Sequence, residues 1–395
     1  MIRIVFVDDE VYVLQAMQRA MHGMRQEWNM EFLPSGAAAL DSLAKTPAEV
    51  IVSDMRMPGM DGWQLLAEVK KLHPQTVRLV LSGHADPGAI MRSVGTAHQY
   101  IAKPCDSATL KSAIVQSQTL KNLLSSDVLA LLVGDVGLLP SFPKAYQDIS
   151  SCLQSPNASL TDAARIIGRD VAMTANIMKL VNSAFFGARQ TISSIDRAVA
   201  YLGLETLGSL VLGHSLFRSQ GSSATDNSSL EGLWRHCLRT ATTARAIAQF
   251  ERLPRARAEE AFLAGMLHDV GRVVFATRSA TTAGGLETPD QDMNAQAEAH
   301  HAVVGAYLLG LWGFPSQIVE AVALHHTPSR RSDTGFGVTV LVHVADRLAH
   351  RCGAHLTSTE ELGLEPGLLE ELGLAGHLPQ WSAATDALDS EQRSP

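Results

Sequence analysis

The sequence contains few aromatic residues, little positive charge and few cysteines. Aromatic side chains make up 5% of the 395 residues, which is too few to predict a surface that stacks single-stranded nucleic acid bases. The net charge is −8 at pH 7 and no long run of lysine or arginine occurs, so a broad basic face for nucleic acid is not expected. The four cysteines lie far apart, without metal-knuckle or redox spacing, which predicts reduced thiols.

The sequence also lacks a long apolar stretch. No segment approaches the length needed to span a membrane, and the N-terminus has neither the basic segment nor the small-residue cleavage site of a signal peptide. We therefore expect a soluble, cytoplasmic protein without membrane association. Hydrophobic residues make up 46% of a chain of 395 residues, which predicts packed cores and two domains.

Short apolar strands alternate with helical patterns over the first 122 residues. The predicted strands are Arg3–Val7, Glu31–Leu33, Val50–Ser53, Val77–Leu81 and Gln99–Ala102. The predicted helices are Val11–Met24, Ala37–Ala44, Gly62–Leu72, Pro87–Val94 and Ser107–Leu124. Five strands interleaved with helices predict an α/β domain with a doubly wound parallel sheet of the flavodoxin-like type.

Polar residues follow several of these strands at the same position. Asp54 ends the third strand and precedes a predicted turn at Pro58-Gly59. The carboxyl ends of parallel strands meet in the crevice where open α/β sheets bind ligands. Residues at equivalent positions after the other strands are Asp8, Asp9, Ser82 and Lys103. The sequence therefore predicts that these side chains meet with Asp54 at one edge of the sheet.

Residues 1–122 resemble the receiver domain of bacterial two-component response regulators. The resemblance implies that Asp54 accepts a phosphoryl group from a sensor histidine kinase. It also implies that Asp8, Asp9, Asp54 and the backbone carbonyl of Arg56 hold one Mg²⁺. Hard cations of this kind prefer carboxylate and carbonyl oxygens, and a phosphoryl-bearing site needs its charge neutralised.

The same resemblance assigns roles to residues at the ends of the last two strands. Ser82 and Lys103 contact the phosphoryl group in this family, Tyr100 is its switch residue, and Pro104 follows a cis peptide bond. Structural alternatives exist for each residue taken singly. In these alternatives Asp9 would cap the first helix and Lys103 would be a solvated surface residue. Tyr100 would pack in its strand and Ser82 would belong to an ordinary turn. Because all matches occur in order, we favour the receiver interpretation.

Only helical patterns follow residue 128. We place a helical linker at 123–138, a helical domain at 139–350, and a helical C-terminal extension with a loose tail at 351–395. The predicted breaks between helices are 139–143, 155–157, 221–229 and 284–292. An apolar edge on the helix at 108–124 is consistent with a homodimer seam or a lever into the next domain, and packing against the sheet is the alternative.

One segment has the pattern of small residues and glycine that is typical of a helix-turn-helix. Residues 161–171 combine small residues with Gly168, and Asp162 supports the start of a helix. The next helix, at 172–181, is mostly apolar and carries one lysine, Lys179. A recognition helix needs several side chains that read bases or phosphates, so we do not expect DNA binding.

Several segments of the second half resemble the HDOD domain, an all-helical relative of the HD phosphohydrolases, over about residues 128–350. The segments that carry the resemblance are 139–143, 176–187, 195–199 with Leu202-Gly203, and 264–271. The resemblance implies a signalling output domain that acts by protein interaction, with a partner that the sequence does not identify. Asn182 and Ser183 are interpreted as a helix C-terminal cap.

The HDOD resemblance also brings a set of possible metal ligands. HD hydrolases use an initial histidine, a His-Asp doublet and a late aspartate, and the matching residues are His236, His268, Asp269 and Asp346. The positions that hold a second ion in the related HD-GYP phosphodiesterases match His301 and His325. Imidazole nitrogens combined with carboxylate oxygens suit Mn²⁺, Fe²⁺ or Zn²⁺.

Departures from the hydrolase pattern argue against catalysis. Thr327-Pro328 follows the second histidine doublet where HD-GYP enzymes carry an acid and a Gly-Tyr-Pro motif, and Arg272 replaces their usual lysine. A His-Asp doublet also forms buried hydrogen-bonded pairs without metal. We expect a protein-interaction domain rather than an enzyme. A receiver-gated, metal-dependent phosphohydrolase of a cyclic dinucleotide or nucleotide is the alternative.

Leucines and glutamates alternate in the C-terminal extension. The spacing of Leu362, Leu364, Leu368, Leu369 and Leu372 predicts short amphipathic helices that close the second core, with the acidic side chains in solvent. From Ser382 onward the composition becomes small and polar, which predicts a loose end.

Overall fold

The structure, a computed structural model, describes residues 1–82, 95–103, 105–122, 143–155, 157–183, 191–212, 224–282, 290–350 and 359–393, with single positions between 123 and 142. The chain divides into two compact units. The first comprises residues 1–138, 179–191 and 307–314. The second comprises residues 139–178, 192–306 and 315–395.

The N-terminal part of the chain alternates strands with helices. The strands are β1 (Ile2–Val7), β2 (Trp28–Leu33), β3 (Val50–Asp54), β4 (Val77–Ser82) and β5 (Gln99–Ala102). The helices are α1 (Val11–Ala20), a 3₁₀ turn (His22–Met24), α2 (Gly36–Lys45), α3 (Gly62–Leu72) and α4 (Ser107–Asn122). The predicted helix Pro87–Val94 lies outside the described residues.

The five strands form one parallel sheet in the order β2-β1-β3-β4-β5. Every residue of β3 is buried, as expected for a strand covered by helices on both faces. The predicted doubly wound sheet is therefore confirmed. Because the strands are parallel, the carboxyl ends of β1, β3, β4 and β5 open on the same edge.

Local signals explain where the helices begin. Ser35 accepts a hydrogen bond from the backbone N–H of Ala38 and caps α2. Asp61 and Gln64 form a capping box at the start of α3. Gly59 adopts φ of +80°, a left-handed conformation that glycine reaches without a steric penalty, and it forms the predicted turn after β3.

A buried arginine fixes the chain after the sheet to the amino-terminal end of β4. Arg78 in β4 is fully buried and donates hydrogen bonds to the carbonyls of Thr96 at 2.7 Å and Gly134 at 2.6 Å. The backbone N–H of Arg78 donates to Nδ1 of His98 at 3.0 Å, and Nε2 of His98 lies 3.1 Å from the same Gly134 carbonyl. A Cβ on Gly134 would lie 2.3 Å from the carbonyl oxygen of Pro74, so only glycine fits there.

The rest of the chain is helical where it is described. The first helices are α5 (Pro143–Gln154), α6 (Leu160–Ile167), α7 (Val171–Val181), α8 (Ile195–Leu212), α9 (Ala224–Phe250) and α10 (Arg255–Leu267). They are followed by α11 (Val270–Thr282), α12 (Asp290–Leu311), α13 (Ser316–Leu324), α14 (Val338–His350), α15 (Thr359–Leu362), α16 (Leu368–Glu371) and α17 (Leu378–Arg393). Short 3₁₀ turns lie at Pro328–Arg330 and Ala375–His377.

The centre of the second unit is the antiparallel pair α9 and α10, against which α14 packs. A Cβ on Gly265 would lie 2.8 Å from Cα of Ala241, so the absence of a side chain lets the two helices approach closely. Leu369 of α16 and Trp381 of α17 are fully buried in the same core. The predicted amphipathic helices of the C-terminal extension are confirmed.

Two predicted loops are wrong in part. Helix α9 already begins at Ala224 within the predicted loop 221–229, and α12 begins at Asp290 within 284–292. The segment after Ser382, which we predict to be loose, belongs to helix α17, which runs to Arg393. Polar residues such as serine and asparagine disfavour helices only weakly, and extending a packed helix is cooperative. Most of the predicted linker 123–138 lies outside the described residues.

Candidate functional site

The carboxyl edge of the sheet brings two buried carboxylates to one lysine. Lys103 follows β5, and its Nζ lies 2.7 Å from Oδ2 of Asp8, which follows β1. The same Nζ donates a hydrogen bond to Oδ1 of Asp54 at the end of β3. Burial alone would lower the pKa of Lys103, but the hydrogen bonds and charges of Asp54 and Asp8 outweigh it and raise the pKa above its ordinary value. The interpretation of Lys103 as a solvated surface lysine is therefore wrong.

The backbone around Asp54 fixes the direction of its carboxylate. The backbone N–H of Arg56 donates to Oδ2 of Asp54 at 2.7 Å, which leaves Oδ1 for Lys103. A Cβ on Gly62 would lie 2.1 Å from the carbonyl oxygen of Asp54, so α3 can begin this close to the strand only with glycine. The segment between β3 and α3 thus holds the carboxylate of Asp54 at the sheet edge.

The acidic pair after β1 divides into a buried and an exposed member. Asp8 is 1% exposed and accepts a hydrogen bond from the backbone N–H of Glu10 at 2.9 Å, whereas Asp9 is exposed. Glu10 is the N-cap of α1 and no side chain caps it, so the interpretation of Asp9 as a helix cap is wrong. The carboxylates of Asp8, Asp9 and Asp54 outnumber the single ammonium of Lys103. This excess of negative charge on oxygen donors fits a hard divalent cation such as Mg²⁺.

The other predicted receiver residues are placed as follows. Tyr100 lies in β5, is 4% exposed and packs in the hydrophobic core. Ser82 is the last residue of β4, on the same edge as Asp54, and its side chain lies outside the described residues. Pro104 also lies outside the described residues.

A second cluster of ionisable side chains lies in the helical unit. All the predicted HD-like residues contribute to it: His236 in α9, His268 and Asp269 between α10 and α11, His301 in α12, His325 after α13 and Asp346 in α14. Two histidines that were not predicted as ligands, His326 and His350, join them. We call these eight residues the histidine cluster. Each of its helices supplies ligands from one end or one face, so the packing of the bundle assembles the site.

One part of the histidine cluster is centred on Asp346. Its Oδ1 lies 3.1 Å from Nε2 of His236, 3.5 Å from Nε2 of His268 and 3.1 Å from Nδ1 of His350. The Nε2 atoms of His236 and His268 are 3.1 Å apart. Asp346 is 2% exposed and His268 1% exposed, so this part of the cluster is buried.

The other part of the cluster is joined to the first through Asp269. Oδ1 of Asp269 lies 3.1 Å from Nε2 of His301, and Oδ2 lies 3.6 Å from Nε2 of His268. Nε2 of His301 is in turn 3.0 Å from Nε2 of His326. Arg272 also contacts Asp269, with its Nε 3.1 Å from Oδ2. The residue that departs from the hydrolase pattern therefore forms an ion pair with a predicted ligand.

Backbone carbonyls orient two of the histidine rings. Nδ1 of His268 donates to the carbonyl of Gly265, and Nδ1 of His325 donates to the carbonyl of Val322, each at 2.8 Å. These bonds place a proton on Nδ1 and turn Nε2 inward, which is the usual orientation for metal-binding histidines. Nε2 of His325 is buried and has no hydrogen-bond partner among the described residues. A divalent ion would satisfy this atom, so the donor set fits a metal.

Burial and charge separate the protonation states of the cluster. Burial alone would lower the pKa of His268, but the charges of Asp269 and Asp346 outweigh it and raise the pKa to about 9. Burial opposes ionisation of the two carboxyls, yet the surrounding histidines hold their pKa values far below the usual range. Burial lowers the pKa of His325 strongly and that of His326 to about 4. The ionised carboxylates and the neutral imidazoles of His325 and His326 are in the donor state that a divalent ion requires, and an ion that binds His268 must displace its proton.

The signals for the two additional histidines differ in the sequence. His350 lies four positions after Asp346 on one helix, so helical spacing alone could have identified it. His326 is the second member of a doublet, and the sequence does not show which member faces the cluster. In the structure both do, because α13 ends at Leu324 and the chain turns there.

Comparison with known proteins agrees with both halves of this architecture. The response regulator receiver domain family matches residues 4–115, and the HDOD domain family matches residues 139–328. The chain is a response regulator with an N-terminal receiver domain and an HDOD domain. None of its described helices has the length and apolar character required to cross a membrane.

Relatives of this response regulator share parts of its chain. A protein of Treponema pallidum (strain Nichols) described as uncharacterized is 27% identical over 54% of this chain and 41% of its own length. The hydrogenase transcriptional regulatory protein HoxA of Cupriavidus necator is 36% identical over 26% of this chain and 21% of its own. The DNA-binding transcriptional regulator NtrC of Escherichia coli (strain K12) is 34% identical over 25% of this chain and 21% of its own. The chain thus spans less than half the length of each of these relatives.

Two solved structures are similar to parts of this chain. The MmoQ response regulator from Methylococcus capsulatus str. Bath is 22% identical, with a TM-score of 0.46, over 63% of this chain and 98% of that chain. The signal receiver domain of an HD domain-containing protein from Pseudomonas fluorescens Pf-5 is 28% identical, with a TM-score of 0.28, over 29% of this chain and 91% of that chain.

Proposed function

We propose that this response regulator accepts a phosphoryl group on Asp54 from a sensor histidine kinase. The observation that supports the proposal is the ammonium of Lys103 between the buried carboxylates of Asp8 and Asp54. A single fixed cation at this position can neutralise Asp54 before transfer and a phosphoryl oxygen after it. A surface lysine rarely has two buried carboxylates as its partners, so this arrangement is typical of a reactive site.

The transfer follows from the orientation of Asp54. Oδ1 forms the new bond to phosphorus while the bond from phosphorus to the kinase's histidine nitrogen breaks, and that nitrogen keeps the bonding electron pair. Oδ2 remains fixed by the backbone N–H of Arg56. Lys103 then pairs with the phosphoryl group as well as with Asp8. Asp8, Asp9, Asp54 and the carbonyl of Arg56 would hold Mg²⁺, which when bound neutralises phosphoryl oxygens.

The proposed output is a change in protein binding by the HDOD domain. A phosphoryl group on Asp54 makes several charge-assisted contacts, so it can shift an equilibrium between receiver states that differ by a few kcal/mol. Ser82 and Tyr100 lie in β4 and β5 and would report the state of Asp54 to the helices beyond them. The result is exposure or burial of a surface that an output protein recognises.

Chemical phosphorylation tests this proposal. Acetyl phosphate with Mg²⁺ should add one phosphoryl group that is labile to alkali and hydroxylamine to wild-type protein and none to the Asp54→Asn variant. Asp61→Asn is the matched control, because Asp61 is a partly exposed N-cap of α3 and asparagine caps helices equally well. If Asp54→Asn were labelled as efficiently as wild type and Asp61→Asn, the assignment of Asp54 would be wrong.

A second candidate function is metal-dependent phosphohydrolysis at the histidine cluster. It is favoured by the buried, unpartnered Nε2 of His325 and by the carboxylates that face the imidazoles. The residues that would hold the ion are His236, His268, Asp269, His301, His325 and Asp346. Bound Mn²⁺, Fe²⁺ or Zn²⁺ would lower the pKa of a coordinated water and polarise a phosphate ester.

Metal analysis and a turnover assay distinguish this candidate from an interaction domain. Protein purified without chelators would contain stoichiometric metal that His268→Ala lacks. Hydrolysis of a cyclic dinucleotide by wild type, and not by His268→Ala, would support the enzyme. Metal without turnover, or protein without metal, would support a domain that acts by protein interaction.

A further inference from the structure

A cleft in the helical unit contains several charged residues that neither of the sites above uses. It lies between α6, the start of α8 and the antiparallel pair α9 and α10, and has a volume of about 870 Å³. Its lining includes three arginines, Arg165, Arg169 and Arg245, and two carboxylates, Asp196 and Glu259. A cavity of roughly 300–1,000 Å³ is the size that proteins use for small ligands.

Two of the three arginines have no acidic partner. Arg165 forms an ion pair with Asp162 at 2.8 Å, outside the lining. The side chains of Arg169 and Arg245, in contrast, have no ion pair or hydrogen bond within the part of the chain that the structure describes. The guanidinium of Arg245 lies 4.4 Å from the ring centroid of Phe262, which fixes its plane and leaves its N–H groups for another acceptor.

The acidic residues of the cleft do not cancel this charge. Glu259 accepts a long hydrogen bond from the hydroxyl of Ser194 at 3.5 Å, and Asp196 lies in the first turn of α8, where the helix dipole stabilises a carboxylate. Both therefore have other favourable interactions. Arginine forks bind the oxygens of phosphates and carboxylates through paired N–H bonds.

We propose that this cleft binds a small polyanion that carries closely spaced phosphate or carboxylate groups. Arg169 and Arg245 supply the charge, Arg165 adds a third guanidinium, and the polar lining residues Thr161, Thr242 and Gln249 complete the contacts. The proposal depends on neither phosphorylation of Asp54 nor a metal in the histidine cluster. Helices α9 and α10 line the cleft, α9 also carries His236, and α10 ends directly before His268, so an occupant would contact the elements that also assemble the cluster.

Calorimetric titration of the full chain with two probes tests the proposal. Inorganic pyrophosphate represents closely spaced phosphates and citrate represents closely spaced carboxylates. Metal is removed beforehand with a chelator, which is then dialysed away, so that neither probe binds through a metal ion. Saturable binding of pyrophosphate alone indicates a phosphate ligand, and binding of citrate alone indicates a carboxylate ligand.

Three substitutions connect the binding to the cleft. Arg169→Gln and Arg245→Gln should each lower the affinity for the probe by at least about tenfold, because each removes hydrogen bonds from a charged donor. Arg197→Gln is the matched control, since Arg197 is exposed on the same helix as Asp196 but does not line the cleft, and it should change the affinity less than about twofold. Circular dichroism checks folding, and if Arg245→Gln fails to fold, exposed Arg169 decides the outcome.

Two results would overturn the proposal. One is the absence of saturable binding by wild type with either probe. The other is equal affinity in wild type, Arg169→Gln and Arg245→Gln, which would locate the anion elsewhere on the chain.

Discussion

Nζ of Lys103, the residue after β5, lies 2.7 Å from Oδ2 of Asp8, the residue after β1. The contact thus links the ends of the first and last strands of the receiver. Asp54, at the end of β3 between them, accepts a hydrogen bond from the same nitrogen. One lysine therefore holds two buried carboxylates that would otherwise repel each other.

Substitution Lys103→Met should destabilise the receiver. Removing one partner of a buried ion pair leaves the other charge uncompensated, and we expect a loss of about 3 kcal/mol in the free energy of unfolding. Mg²⁺ should restore part of this loss if it binds Asp8 and Asp54. Urea unfolding with and without Mg²⁺ measures both effects. Lys71→Met, at a lysine whose side chain is 68% exposed, should leave the stability unchanged, and an equal loss in both variants would contradict the account.

His98 should make the receiver less stable in acid. Burial, followed by the positive charge of Arg78, lowers its pKa well below the ordinary value. As the pH falls below about 6.5, the unfolded chain binds a proton at His98 and the folded chain does not, so stability decreases by up to about 1.4 kcal/mol per pH unit. Above that pH the residue has no effect. Hydrogen exchange at the amides of β4 and β5, corrected for intrinsic exchange rates, gives the free energy of opening at each pH. Its change with pH is the predicted slope.

The slope should become shallower in His98→Gln and remain in His22→Gln, because His22 is exposed. If His98→Gln had the same acid dependence as wild type, another group would be responsible.

Divalent metal should stabilise the helical unit through the histidine cluster. Because the ion binds the folded state only, Zn²⁺ or Mn²⁺ at 100 times its dissociation constant should add about 2.7 kcal/mol to the free energy of unfolding. Thermal unfolding with and without metal measures the gain. His268→Ala should abolish it, and His300→Ala should keep it, because His300 neighbours His301 but is not part of the cluster. Loss of the gain in both variants would mean that the metal binds elsewhere.

Gly271 should be essential for the position of His301. A Cβ at residue 271 would lie 2.0 Å from the carbonyl oxygen of His301, so Gly271→Ala must move α11 or α12. We expect a destabilisation of about 3 kcal/mol and a loss of the metal-dependent gain in thermal stability. Gly232→Ala is the control, because no atom lies within 4 Å of its Cβ, and it should be neutral or slightly stabilising. Unchanged metal binding in Gly271→Ala would contradict this assignment.

The receiver fold could be predicted closely because its buried parallel strands are continuous apolar runs. The residues that follow these strands were also correctly brought to one sheet edge, because the direction of parallel strands determines where they end. Helix boundaries in polar segments were harder, and the loop predicted at 221–229 is partly the start of α9, since weak local preferences are overridden by packing.

The histidine cluster was predicted only for residues with a family counterpart. His326 is one of two adjacent histidines, and their separate directions depend on the turn after α13. The arginines of the cleft lie on α6, directly after it, and on α9, so their proximity depends on how those helices pack, which periodicity does not show.

The central claim is that a phosphoryl group on Asp54 changes the HDOD domain. Hydrogen exchange followed by mass spectrometry, on the full chain with and without acetyl phosphate and Mg²⁺, tests it most directly. We predict altered protection in peptides from residues 139–350 of wild type and no alteration in Asp54→Asn. Complete phosphorylation of wild type with unchanged exchange throughout residues 139–350 would contradict the account.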